Sequence, residues 1–586
     1  MDKQSRDHAP IEIAGSDPTR EHPFLIPMVD KQLRSSFLSI IPSKYGKILL
    51  MKFNWKIFVF LAFLVFIVYF NSLGNDFVSD DIAAIKNNPN IDNVSYIFQQ
   101  PFFNINPRSL TISLTNKVFG LNPVFYRLPN ILFHLGSVWI IYILIGLFFK
   151  SPVPFFTASL FAVHPILIEG VTWISGGPYS NGTFFALLAF LLYLLFNQNR
   201  EKKFYLFSLL SFIIAFFFCE KLIVLPIIFL VYDLCFGKIK NNWQQLISFF
   251  ILGSLFALKL MGLLGERIVS LATNYYQQPG FENPLVQIPV AITSYLKLIF
   301  IPFGFTLYHS EEMIFSTTTF IIRFIISLVF LFILVLSFKK ERKIFFWLLF
   351  FFISLLPVLT PFKISWIVAE RYVYFGSLGI FVLIAVVIQK IGDLSKNQKV
   401  SYLIFCVIIF VLGILTITRN ADWKNQDTLW LAAAKTSPSS AQNHNNLGDY
   451  YGRQRNFQKA IEEFTIATKL MPNYGDAYHN LASVYYQTKE YNKALENYQK
   501  AIATNPNLWQ SYQNIASVYF DLKQYPLALD NIKKAILINP QNSSLHTILG
   551  ITYLQTNQKS EAKIEFQKAI SLDPQNQRAK QLLLSL

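Results

Sequence analysis

Residues 57–92 read IFVFLAFLVFIVYFNSLGNDFVSDDIAAIKNNPNID, an apolar run followed by a polar segment with two adjacent carboxylates, Asp80 and Asp81. Ile57–Phe70 has the composition of a membrane-spanning helix, and the chain contains many such runs. An exposed Asp-Asp pair is most often a solvated turn or a helix cap. Directly after a predicted span, however, the pair also marks a candidate functional site, because ionisable groups near lipid are costly.

The overall composition is that of a helical membrane protein with several spans. Hydrophobic residues make up 53% of the 586 residues and aromatic residues 16%, and the apolar residues fall in long blocks. We predict an all-α fold in which a membrane bundle of eleven spans precedes a domain of helical repeats. The predicted spans are Ile57–Phe70, Leu128–Phe149, Val153–Trp173, Asn181–Phe196, Phe204–Phe218, Leu222–Phe236, Leu246–Leu264, Phe320–Phe338, Ile344–Thr360, Tyr372–Ile388 and Val400–Ile417.

Basic residues in short loops predict the orientation of the bundle, because such loops stay in the cytoplasm. The basic loops lie at 198–203, 238–240, 339–343 and 390–399. Leu285–Phe300 is also apolar, but as a span it would place two basic loops on opposite sides, so we interpret it as an interfacial or re-entrant helix. Everything after Ile417 is then predicted to lie outside the cytoplasm. The net charge of +17 is explained by these loops, and we exclude nucleic acid as a partner.

This topology places many ionisable residues at the outer ends of spans or in outer loops. They include Asp80, Asp81, Arg127, Glu169, Lys221, Lys363, Glu370 and Arg371. Any one of them could be an interfacial charge that reaches water, but their gathering at one face predicts a functional polar cavity. His164 precedes Glu169 by five residues, with Pro165 loosening the helix between them. A buried polar pair satisfied within the bundle is the alternative for His164 and Glu169.

The end of the chain repeats itself with a period of 34 residues. Positions in phase carry Pro438, Pro472, Pro506, Pro540 and Pro574; Leu447, Leu481, Ile515 and Leu549; Tyr451, Tyr485, Tyr519 and Tyr553; and Ala460, Ala494, Ala528 and Ala562. Small residues at these spacings let two antiparallel helices pack closely. The pattern resembles the tetratricopeptide repeat over four repeats from Ala441 to about Asn576, and such arrays bind an extended peptide or a partner protein.

We divide the chain into four regions. Residues 1–52 form a predicted disordered polar tail without a signal peptide. Met51 begins a stretch typical of a membrane-protein start, so an overlong gene assignment is the alternative for that tail. Residues 53–420 are the predicted membrane domain, 421–440 a connecting helix and 441–586 the repeat domain. The three cysteines lack paired spacing, so neither disulfides nor a zinc site is predicted.

Five short stretches are similar to the transmembrane and tetratricopeptide repeat-containing O-mannosyltransferases, multi-span glycosyltransferases of the GT-C class. The stretches are FVSDDIAAIKNNPNID (77–92), YRLPNILFH (126–134), FAVHPILIEGVTWISG (161–176), AERYVYFGSLG (369–379) and RNADWKNQDTLW (419–430). The resemblance covers nearly everything after Met51. One departure is Arg127, where His is expected in the family's eukaryotic members; Arg is more like the wider class and leaves the choice of acceptor open.

The resemblance implies a lipid-phosphate-linked sugar as donor and a site on the non-cytoplasmic face. It implies that Asp80 or Asp81 is the base for the acceptor hydroxyl, and we favour Asp80. Cations must steady the leaving phosphate, and the candidates are Arg127, Lys221, Lys363 and Arg371. His164, Glu169 and Glu370 complete the predicted donor site. A divalent metal is left open.

We therefore expect a glycosyltransferase that moves a sugar, mannose by resemblance, from a polyprenyl-phosphate or dolichyl-phosphate carrier to a protein Ser or Thr hydroxyl. Transfer to a lipid or cell-wall glycan is the alternative within enzymes, and a non-catalytic membrane scaffold is the alternative outside them. A transporter is disfavoured, because alternating access does not require a large outer domain. The Phe-, Ile-, Lys- and Asn-rich usage favours a bacterial cytoplasmic membrane, with the endoplasmic reticulum as the location if the chain is eukaryotic.

Overall fold

The computed structural model describes residues 54–93, 107–274, 283–359 and 367–586, and these residues form helices and connections without a strand. The helices before the repeats are α1 Trp55–Tyr69, α2 Pro107–Phe119, α3 Pro123–Gly146, α4 Val153–Val163, α5 Ile168–Val171, α6 Gly177–Asn199, α7 Lys202–Phe218, α8 Leu225–Cys235, α9 Ile239–Asn274, α10 Pro284–Phe300, α11 Thr317–Lys340, α12 Arg342–Leu355, α13 Ser377–Leu394, α14 Gln398–Asp422 and α15 Gln426–Thr436. The all-α prediction is confirmed. The predicted tail at 1–52 and Lys363 lie outside the described residues.

Seven of the described helices are long and apolar enough to cross a membrane, and α4 with α5 forms an eighth candidate that is bent by 56°. The bend follows Val163, where Pro165 cannot donate the helical hydrogen bond. Three further predicted spans correspond to the shorter helices α7, α8 and α12. The chain is thus an integral membrane protein, and the count of eleven spans stays a prediction.

The centre of the bundle is packed with aromatic side chains. Phe148 stacks on Phe346 with ring centroids 5.8 Å apart, and the ring of Trp347 meets Phe148 edge-on at 5.3 Å. By contrast, α11 exposes large apolar side chains around most of its surface, including Ile322 and Phe332. A helix that is apolar on all sides and exposed is suited to lipid contact.

Loops of the predicted cytoplasmic side meet at one end of the bundle. Arg200 donates to Asn242 Oδ1 at 2.7 Å, and Arg342 donates to the carbonyl of Cys235 at 3.3 Å. These contacts join the basic loops at 198–203 and 339–343 to residues that flank the basic loop at 238–240. The side of the membrane on which this end lies stays a prediction.

The repeats are four antiparallel helix pairs and a final helix, as predicted. They are α16 Ala441–Arg453 with α17 Phe457–Leu470, α18 Gly475–Gln487 with α19 Tyr491–Thr504, α20 Trp509–Asp521 with α21 Tyr525–Ile538, α22 Ser543–Gln555 with α23 Lys559–Leu572, and α24 Gln577–Leu584. Gly448 allows the close approach within the first pair, because a Cβ there would lie 2.6 Å from the ring of Phe464. The turn inside each pair places one residue in the left-handed region: Arg455, Lys489, Lys523 and Asn557.

The repeats are joined to the bundle by the loop between α10 and α11. Ser437 donates its hydroxyl to the carbonyl of Tyr308 at 2.5 Å, and the amide of Ser439 donates to Glu311 Oε1 at 2.8 Å. Trp430 on α15 stacks with Tyr308 at a centroid distance of 6.3 Å. The predicted boundaries at 420 and 440 stay predictions, although α15 does lie between the bundle and the first repeat.

Candidate active site

The five sequence stretches singled out above converge at the end of the bundle opposite the basic loops. Trp173 donates to the carbonyl of Val78 at 3.4 Å, and Thr172 donates to Asn420 Oδ1 at 2.6 Å. His134 and the hydroxyl of Tyr374 lie 2.6 Å apart. Segments separated by up to about 350 residues in the chain therefore build one local structure.

Arg127 is the central buried cation of this structure, with 1% of its surface exposed. Its Nε donates to the carbonyl of Thr172 at 2.6 Å, and Nη1 donates to the carbonyls of Leu73 and Asn75 at 3.2 and 2.9 Å. Nη2 donates to the carbonyl of Asp76 at 3.2 Å. The guanidinium group thus ties the segment that carries the acidic pair to the loop after α5.

That loop is packed so tightly that two adjacent glycines are required. A Cβ on Gly176 would lie 1.7 Å from the carbonyl oxygen of Glu169, and one on Gly177 would lie 2.1 Å from Asn130 Oδ1. The contact at Gly176 cannot be relieved by a rotamer change, because its neighbour is main chain, whereas the neighbour of Gly177 is the buried side chain of Asn130. The segment 172–177 is therefore a rigid support beneath the acidic pair.

The two aspartates differ in their surroundings. Asp81 is fully buried; its Oδ2 accepts from the amide of Val78 at 3.2 Å, and its Oδ1 accepts from both the amide and the hydroxyl of Ser175. Burial raises the pKa of Asp81, whereas the hydrogen bonds from Ser175 and Val78 oppose the rise. Asp80 is exposed, and its carboxylate accepts no hydrogen bond from any residue that the structure describes.

A second group of charges surrounds Trp173. The Nη1 and the amide of Arg371 both donate to Glu169 Oε2, at 3.1 and 2.9 Å, and its guanidinium lies 5.4 Å from the Trp173 ring centroid. Lys221 lies 3.0 Å from the ring centroid of Tyr372 and donates to the hydroxyl of Tyr179 at 3.0 Å. Two of the predicted phosphate ligands, Arg371 and Lys221, are thus only partly buried and framed by aromatic rings.

Glu370 is buried, and its partners lie outside the group of charges around Trp173. It accepts from the amide of Thr306 at 2.8 Å and from Arg419 at 3.3 Å, and His309 lies 3.6 Å from the same oxygen. His164 is also buried: Nε2 lies 3.0 Å from the carbonyl of Ile299, and Nδ1 accepts from the amide of Ile166. Both side chains therefore form their hydrogen bonds within the bundle. For His164 this corresponds to the alternative given above, a buried polar group that is satisfied within the bundle.

Sequence reasoning overlooked several residues of this site. Arg419 lies just after the last predicted span, on the outer side. The criterion that selected Arg371, an ionisable residue at the outer end of a span, could therefore have found it. Ser175 and Trp173 are uncharged and gave no such signal. Within the described residues, no group of three or more His, Cys, Asp or Glu side chains is arranged to hold a metal ion.

Comparison with known proteins finds similarity in both the membrane bundle and the repeats. Residues 108–261 match the model of the dolichyl-phosphate-mannose-protein mannosyltransferase family, and residues 475–508, 510–542 and 543–576 match tetratricopeptide repeat models. Human protein O-mannosyl-transferase TMTC3 is 25% identical over 475 residues, which cover 71% of this chain and 51% of TMTC3. A Caenorhabditis elegans protein O-mannosyl-transferase is 27% identical, covering 69% of this chain and 62% of the relative.

The chain is thus similar to protein O-mannosyl-transferases over about seven tenths of its length. It spans about half to three fifths of the length of the two relatives named above. A second human O-mannosyltransferase, TMTC1, is 34% identical over a shorter region, covering 23% of this chain and 17% of TMTC1. The mannosyltransferase match contains Arg127, Ser175 and Lys221 but neither Asp80 nor Arg371.

Proposed function

We propose that this protein transfers mannose from a dolichyl-phosphate or polyprenyl-phosphate carrier to a Ser or Thr hydroxyl of a protein, as a glycosyltransferase of the GT-C class. One observation carries the proposal: an exposed Asp80 beside a buried, hydrogen-bonded Asp81, at the bundle end that also holds Arg371 and Lys221. This end would face the non-cytoplasmic side of a bacterial cytoplasmic membrane, or the lumen of the endoplasmic reticulum in a eukaryote.

Asp80 is assigned as the general base. In the reaction, the acceptor oxygen forms a bond to C1 of the sugar while the bond from C1 to the phosphate oxygen breaks, and Asp80 takes the hydroxyl proton. Asp80 is suited to this because its carboxylate is accessible, whereas three donors already occupy Asp81. Asp81 therefore holds the segment in place.

Arg371 and Lys221 are assigned to the phosphate of the carrier, which gains negative charge as the sugar leaves. Glu169 holds the guanidinium of Arg371 through Nη1, so the group is oriented before the donor arrives. Lys221 lies over Tyr372, and the residue as a whole is only partly buried. Arg127, His164 and Glu370 are assigned to support these groups, because all three are buried and hydrogen-bonded to main chain. Lys363 remains a further candidate for the phosphate.

The repeats are assigned to the protein acceptor. Arrays of this kind bind extended segments along their concave side, and the first repeat is fixed to the bundle through Ser437 and Ser439. An acceptor held by the repeats would thus stay near the outer end of the bundle. Transfer to a lipid or cell-wall glycan would leave the repeats without this role.

The decisive experiment is sugar transfer by the purified protein from a panel of radiolabelled polyprenyl-phosphate sugars, with and without chelator. Asn in place of Asp80 keeps size and polarity but cannot accept the proton, so the rate should fall by roughly 10²–10⁴ while donor binding persists. Asp92→Asn is the matched control, because Asp92 is an exposed carboxylate of the same segment that binds Asn116. A scaffold would show no transfer in the unmodified protein, and undiminished transfer by Asp80→Asn, Asp81→Asn and the double variant would refute the mechanism.

A further inference from the structure

The hydroxyl of Ser175 lies between a carboxylate and a guanidinium group. It donates to Asp81 Oδ1 and accepts from Arg108 Nη2 at 2.7 Å. A serine hydroxyl has one proton, so when that proton goes to Asp81, a lone pair remains for Arg108. Ser175 therefore links Arg108, at the start of α2, to the buried aspartate of the first loop.

The turn that Asp81 holds contains a residue in an unfavourable backbone conformation. Ser79 has a φ of 53°, a left-handed conformation that side chains other than glycine rarely adopt. Asp81 closes this turn by accepting from Val78 on one side and from Ser175 on the other. Asp80 lies between Ser79 and Asp81, so the same contacts fix the main chain from which its carboxylate projects.

We propose that Ser175, oriented by Arg108, is a positioning residue that fixes Asp81 and thereby aims Asp80 at the acceptor hydroxyl. This inference rests on the proposed function, in which Asp80 is the base. Ser175 contacts neither the sugar nor the base itself in this account, and Arg108 lies within electrostatic reach of both Asp81 and Asp80. Their effect should consequently appear in the rate of the chemical step rather than in donor affinity, because a misplaced base slows transfer without weakening a phosphate contact.

The test compares Ser175→Ala, Ser175→Thr and the control Ser180→Ala in the full-length protein. Ser180 lies on the same stretch, is buried and donates to the carbonyl of Gly177, with no contact to the acidic pair. We expect Ser175→Ala to lower kcat on the order of 10- to 100-fold with an unchanged KM for polyprenyl-phosphate mannose. Ser175→Thr keeps the hydroxyl and should recover most of the rate, and Arg108→Lys should lie between the two.

Rates are expressed per folded molecule, because a loss of folding lowers the apparent kcat in proportion to the folded fraction at unchanged KM and would also be rescued by Thr. If the unmodified protein is active and Ser175→Ala has the same kcat as Ser180→Ala, the inference is overturned and the proposed function is left intact. A higher donor KM in Ser175→Ala with unchanged kcat would also overturn it. Unmodified protein that transfers no sugar from any donor would instead refute the proposed function, and the inference with it.

Discussion

Replacement of Arg127 separates a supporting role from direct phosphate binding. Four main-chain carbonyls receive its donors, and hydrogen bonds from a charged group contribute about 1.5–3 kcal/mol each, although such values do not add. Lys has three donors on one atom and cannot reach all four carbonyls, so Arg127→Lys should destabilise the bundle by about 2–3 kcal/mol. Arg127→Met, which leaves every carbonyl unpaired, should cost about 3–5 kcal/mol.

The assay measures the unfolding of the detergent-solubilised protein in a denaturant titration. It also measures the rate of proteolysis in the segment that holds the acidic pair. Arg578→Met is the control, because Arg578 is an exposed arginine in the last helix of the repeats. We expect protease to cut the acidic segment faster in both Arg127 variants, with loss of transfer at every donor concentration. Unchanged stability in Arg127→Lys, together with a raised KM for the donor, would refute the supporting role and restore Arg127 as a phosphate ligand.

Three further predictions concern other parts of the chain. Ion pairs with Lys297 and Arg323 outweigh the effect of burial and lower the pKa of Glu312 to about 2. The stabilisation by Glu312 is therefore fully present above pH 4.5 and is lost as the pH falls toward 2. Glu312→Gln should make the thermal stability of the protein less dependent on pH in this range. A cysteine introduced at Asn505 should react with an impermeant reagent in intact cells or spheroplasts; labelling only after lysis would reverse the predicted orientation. Truncation after Ser440 keeps the contacts at Tyr308 and Glu311, so donor hydrolysis should persist while transfer to protein falls. Loss of both activities in a folded bundle would contradict the assignment of the acceptor to the repeats.

The parts of the fold that follow from periodicity were predictable. The 34-residue spacing of proline, alanine and tyrosine specifies both helices of each repeat, because these residues set how closely the helices pack. The left-handed residues between the helices were not predictable: Arg455, Lys489 and Lys523 have no special preference for a positive φ. Tertiary packing of each helix pair imposes that conformation on whichever residue occupies the position.

For the site, the sequence predicted a gathering of charged residues at the outer ends of spans but not what each one contacts. Arg127 and Arg371 look alike in the sequence, as single cations at the outer ends of predicted spans. The structure separates them, because four carbonyls surround Arg127 whereas Glu169 holds Arg371 from one side. A choice between Asp80 and Asp81 likewise depends on Ser175, which lies about 95 residues away and is uncharged.

The loop between α10 and α11 bears on both the site and the repeats. The amide of Thr306 donates to Glu370, the neighbour of Arg371, and the hydroxyl oxygens of Thr306 and Ser437 lie 3.3 Å apart. Glu370 is buried, so loss of that amide would leave a carboxylate oxygen without one of its donors, at a cost that a surface contact would not impose. A shift of the first repeat away from the bundle must therefore also disturb the segment that presents Arg371. Under the proposed function, an acceptor bound by the repeats would therefore act on the proposed phosphate site through the protein, as well as by supplying the hydroxyl.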